Sequence, residues 1–125
     1  MDQSTLVENG HNLIEAMSKN GIAPRGAMWV HSTDTDVWRL WIVPPKELTD
    51  KREFYRRVSE VITKSRDLFS NFDAGDVDLI SDTHPAIAGI SRMFKVTGPK
   101  SSAFLKNNMV NGFYIPDGII LLMNL

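Results

Sequence analysis

From Ala27 to Pro45 the chain reads AMWVHSTDTDVWRLWIVPP, an alternation that predicts two strands joined by the polar turn Thr33-Asp34-Thr35-Asp36. Successive side chains of a strand point to opposite sides. With Trp29 set opposite Leu40, one face therefore holds Trp29, Trp38, Leu40 and Ile42, with His31 at its edge. Met28, Val30, Arg39, Trp41 and Val43 fall on the other. Both faces are largely apolar. A two-layer sheet is wet on one side, so the second face calls for cover by another layer, a subunit or a ligand.

Upstream, Leu6, Val7, Leu13, Ile14 and Met17 recur at helical spacing, which predicts a helix over 4–20 with Ser4 as its cap and Gly21 as its stop. Gly10 falls in the same stripe. A mid-helix glycine costs about 1 kcal/mol against alanine, which points to close packing against another backbone. Pro44-Pro45 ends the second strand, since proline donates nothing to a ladder. A second helix over 50–69 follows, capped by Thr49 or Asp50 with Glu53 in capping-box position. Its buried stripe is Phe54, Val58, Val61, Ile62, Ser65, Leu68 and Phe69.

The remaining pattern predicts a loop over 71–75 and a short strand over 77–81. A brief helical or irregular stretch runs from His84-Pro85 to Ile90, followed by a strand over 92–97 and an ambiguous apolar piece at 102–106. A closing hairpin pairs 112–115 with 119–123 around Pro116-Asp117-Gly118. The last strand is apolar on both faces and belongs inside the sheet. Short turns between neighbouring strands imply a single α+β domain over residues 1–125, its mainly antiparallel sheet covered by two amphipathic helices.

Composition changes this picture little. Of 125 residues, 42% are hydrophobic and 23% charged, which are globular values. A net charge of −1 removes any global electrostatic case for nucleic acid or an anionic membrane. The absence of cysteine rules out disulfides and thiol chemistry. No basic leader precedes an apolar run, and the longest such run, Ile119 to Met123, is too short to span a bilayer. The expectation is a soluble cytoplasmic protein that does not engage membranes.

Candidate chemistry is sparse. Asp67, Asp73, Asp76, Asp78 and Asp82 precede His84, offering oxygen ligands and an imidazole, but without calcium-loop spacing. His31 faces Trp38 and lies near Asp34 and Asp36, either of which could orient its ring, yet no nucleophile motif accompanies it. His11 reads as a boundary residue and His84 as a turn residue. Arg52 and Arg56 lie one turn apart on the second helix and could track phosphates, with Lys46 and Arg25 as outriders. Gly98-Pro99-Lys100 lacks the glycine register of a phosphate loop.

Tryptophan beside arginine is an interface combination. The expectation is therefore a small accessory protein that binds a protein partner or itself. Its anchoring patch is Met28, Arg39 and Trp41, flanked by Arg52, Tyr55 and Arg56. A nucleic-acid-binding protein using the basic face of helix 50–69 is the first alternative. A small enzyme or metal site around His31 or the 73–84 segment is the second. No catalytic set, metal or cofactor is implied.

Overall fold

A computed structural model describes residues 2–125. It contains helices α1 (Gln3–Lys19), α2 (Lys51–Lys64) and α3 (Pro85–Met93) and strands β1 (Gly26–Ser32), β2 (Val37–Val43), β3 (Val77–Leu79), β4 (Ala103–Val110) and β5 (Phe113–Met123). The strands form one sheet in the order β3-β2-β1-β5-β4. It is antiparallel except for the outer β2–β3 pair, which is parallel. The architecture is α+β, as the hydrophobic pattern predicts, and β5 lies inside the sheet.

The tryptophan hairpin holds the expected register, with Trp29 across from Leu40 and His31 across from Trp38. Trp29, Leu40 and Ile42 pack with Leu13 and Met17 of α1 and with Phe54, Val58 and Ile62 of α2. Met28, Val30, Trp41 and Val43 pack with Ala86, Ile87 and Ile90 of α3 and with Val96. The second apolar face is thus covered by a third layer of the same chain. This corrects the two-helix expectation: α1 and α2 share one side, and a nine-residue helix seals the other. The stretch from His84-Pro85 to Ile90, read as helical or irregular, is this helix; its three buried side chains are too short a stripe to mark it as a covering layer from sequence.

Local chemistry accounts for the helix ends. The Asp2 carboxylate accepts from the Thr5 amide at 2.8 Å, so Asp2 rather than Ser4 caps α1. Asp50 accepts from the Glu53 amide at 3.1 Å and caps α2. Regular α2 ends at Lys64; a 3₁₀ turn over Arg66–Leu68 follows, capped by Phe69, and it leaves Leu68 50% exposed rather than in the expected buried stripe. Gly10 has a different close neighbour from the expected backbone. A Cβ there would stand 2.1 Å from Leu121 Cδ1 and 3.1 Å from Trp29 Nε1. The Trp29 indole donates to the Leu6 carbonyl at 2.7 Å, so the ring lies directly against α1. One turn away, Asn9 is buried and clamps the Ser70 backbone, donating to its carbonyl at 2.9 Å and accepting from its amide at 3.0 Å.

The C-terminal half differs from the expected pattern. The hairpin turns at Asn111-Gly112, both with positive φ (49° and 81°), as a tight two-residue turn requires. β5 runs unbroken through Pro116-Asp117-Gly118. Proline is tolerated because the β4 register skips from Lys106↔Asp117 to Asn108↔Ile115, and β1 pairing stops at Asp117. Asn107, at the skip, has φ 51°. The strand expected over 92–97 is reduced to a single bridge, Val96↔Met123, because Arg92 and Met93 still belong to α3.

Candidate functional site

α1 crosses β1 and β5 and leaves the same side of β4 without a helix above it. Side chains on that side are Phe104 and Lys106, then, past the irregularity at Asn107, Met109 paired with Tyr114. Phe104 is 60% exposed, Met109 66% and Tyr114 48%. Tyr114 is steered by its hydroxyl, which donates to Asn107 Oδ1 at 2.7 Å. Lys106 lies directly across from Asp117. The open face continues into a groove of about 670 Å³ between α1 and the start of β4, lined by Val7, Glu8, His11, Lys100, Ser102 and Phe104.

Electrostatics in the groove are simple. Burial lowers the His11 pKa, and the nearby Lys100 ammonium lowers it further, so the ring is neutral at pH 7. Its Nε2 is buried without a partner among the described residues. Lys100 sits at φ 62°, a conformation that few non-glycine residues adopt. Glu8 on the α1 wall and Lys100 on the opposite wall give the groove one charge of each sign.

The six residues of the sequence-derived patch do not form one surface. Met28 is fully buried and Trp41 is 8% exposed, both in the core beneath α3. The Trp41 ring stacks edge-on against His84 and Phe113 at centroid distances of 5.1 and 5.5 Å. Arg39 makes a two-pronged ion pair with Asp78 (2.7 and 3.1 Å) and donates to the Gly75 carbonyl at 2.6 Å, and the Asp78 hydrogen bonds raise its pKa. Arg52, Tyr55 and Arg56 belong to α2 on the opposite side of the sheet, where the Tyr55 hydroxyl accepts from the Leu79 amide. The patch divides because α3 buries Met28 and Trp41 on one face of the sheet, while α2 packs with Trp29 on the other.

The alternatives are placed as follows. Arg56 is held between Glu53 (2.6 Å) and Glu60 (2.7 Å), so its charge is compensated within α2. His31 Nε2 meets Asp36 Oδ1 at 2.8 Å and its ring leans on Trp38, but Asp36 is 91% exposed at the hairpin tip. Asp73 and Asp76 form a reciprocal capping box, Asp78 is taken by Arg39, and Asp82 by Arg25 at 3.0 Å. His84 caps α3 by accepting from the Ala86 amide. Among the described residues no three of these groups converge as metal ligands would, and no helix is long and apolar enough to cross a membrane.

Phe104, Met109 and Tyr114 escaped the sequence reading. The signal that could have found them is Asn111-Gly112, the strongest short hairpin signature. Placing the turn there extends β4 to Val110 and puts Met109 and Tyr114 side by side. Compared with known proteins, the chain matches no family model, no curated protein and no solved structure.

Proposed function

We propose that this protein works by protein–protein association, and that the open face of the β4–β5 hairpin joins it to a second copy of the same chain. The observation that supports this is the placement of Phe104, Met109 and Tyr114, all large and 48–66% exposed, on a part of the sheet that the helix layer leaves bare. Large apolar side chains exposed together on an uncovered sheet face mark interaction sites. Its charges favour a self-complementary arrangement. Lys106 lies across from Asp117, and Glu8 and Lys100 line the adjoining groove, so this face carries the charges of both signs that a self-complementary two-fold contact uses.

Light scattering over a concentration series tests the reading. The expected result is a mass that rises from 14.1 kDa towards twice that value through the micromolar range. The double variant Phe104→Ser/Met109→Ser should stay at one chain. Both residues are exposed in the monomer, so its unfolding midpoint should match the parent's within about 0.5 kcal/mol. A parent mass fixed at one chain up to about 1 mM, where only interactions weaker than −4 kcal/mol go unseen, overturns the proposal. So does a dimer that the double variant leaves intact.

A further inference from the structure

The β2 and β3 strands are parallel neighbours, and the chain leaves their carboxyl ends in opposite directions. After β2 it passes to α2 on the Trp29 side of the sheet; after β3 it passes to α3 on the Trp41 side. Where adjacent parallel strands send their connections to opposite faces, a crevice opens outside the strand ends, and ligands of open sheets bind there. This molecule has such a crevice, a cavity of about 440 Å³ walled by Pro44, Lys46 and Thr49 from one connection and Ile80, Ser81 and Asp82 from the other.

Arg25 also lines it. The guanidinium is held by two bonds, Nε donating to the Pro44 carbonyl at 2.8 Å and Nη1 to Asp82 Oδ2 at 3.0 Å. Its side chain is only 21% exposed. Nη2 has no partner among the described residues, so one edge of a fixed cation remains to be used. Lys46, on the wall, makes no hydrogen bond or ion pair among the described residues. Two cations thus border the crevice against one carboxylate, and that carboxylate is already spent on Arg25. Thr49 adds a hydroxyl, while Pro44, Leu79 and Ile80 supply an apolar wall.

From this arrangement we infer that the crevice binds a small phosphate monoester with an apolar body. A phosphate presents several charged oxygens, enough to accept from both Arg25 Nη2 and Lys46 Nζ, and charge-assisted bonds of this kind are the strong ones. The body of the ester lies on Ile80 and Pro44. The site is at the β3 edge of the sheet, away from the β4–β5 face, so it stands or falls independently of the association proposed above.

Amide chemical shifts followed during titration with phenyl phosphate, and separately with inorganic phosphate, test the inference. Saturable shifts are expected at residues 46–49 and 80–82, with phenyl phosphate binding more tightly than inorganic phosphate. Lys46→Ala removes an exposed side chain and should leave the spectrum folded while weakening phenyl phosphate about tenfold, the loss of one charge-assisted bond. An absence of saturable shifts up to about 10 mM, well beyond the millimolar range of a weak specific site, overturns the inference. Unchanged affinity in Lys46→Ala also overturns it, as does equal affinity for the two probes, which would leave the apolar wall without a role.

Discussion

Replacing Gly10 by alanine sets two effects against each other. In an isolated helix the change stabilises by about 1 kcal/mol, because glycine has more backbone freedom to lose. Here the new Cβ would stand 2.1 Å from Leu121 Cδ1, where carbon atoms rest at about 3.5–4.0 Å, so some 1.5 Å of displacement is needed. Leu121 Cδ1 is the end of a side chain and can move, but that residue is 1% exposed and has packed neighbours on every side. On the other flank Trp29 Nε1 is 3.1 Å from the new atom, and its bond to the Leu6 carbonyl holds it there.

Overpacking of this kind costs about 1–3 kcal/mol, which outweighs the helical gain and leaves Gly10→Ala about 1 kcal/mol less stable. For a chain of this length that is a fall of about 4 °C in Tm. Urea unfolding followed by tryptophan fluorescence reads the change. The same substitution in a Leu121→Ala background, where the obstructing methyl is gone, should instead stabilise by about 1 kcal/mol, a sign reversal that a double-mutant cycle isolates. If Gly10→Ala stabilises the otherwise unchanged protein, α1 does not lie this close to β5 and the packing argument fails.

Asn9→Ala should cost about 1–3 kcal/mol in urea unfolding, since it removes a buried side chain that makes two hydrogen bonds to the Ser70 backbone; a loss under 0.5 kcal/mol would mean that water replaces the amide freely. Burial lowers the His84 pKa below its ordinary 6.5, so the folded state favours the neutral ring. Its contribution is complete above pH 6.5 and is lost as pH falls from there through the folded-state value. His11, lowered in the same direction, adds to the trend. Thermal melts should therefore show Tm falling between about pH 7 and pH 5, and His84→Asn, which keeps a capping acceptor but cannot charge, should show a shallower fall; an identical slope in the variant would remove His84 as a cause.

Much of the fold was legible because it rests on local rules. The hairpin register and the membership of its two faces follow from a side-chain period of two, so Trp29 across from Leu40 could be read directly. Asp50 as a cap followed from the need of free helical amides for an acceptor. Where two local signals competed, the tertiary setting chose between them. Pro116-Asp117-Gly118 has turn chemistry, yet it lies within β5 because the irregularity at Asn107 spares Pro116 a ladder bond, and Asn111-Gly112 makes the turn instead. The candidate sites were less legible still. Phe104, Met109 and Tyr114 matter only because α1 stops short of β4, and Arg25 meets Asp82 across 57 residues of chain.

By itself the sequence determined the two long helices, the tryptophan hairpin with its register, and that both faces of that hairpin had to be buried. Only the tertiary structure decided what buries them: α1 and α2 on one side, α3 on the other, with a crevice where the connections diverge and a bare strand where the helix layer ends. The physical reason is that periodicity and capping depend on neighbours a few residues away. Burial and charge pairing depend on which distant segment arrives opposite, and no local pattern carries that information.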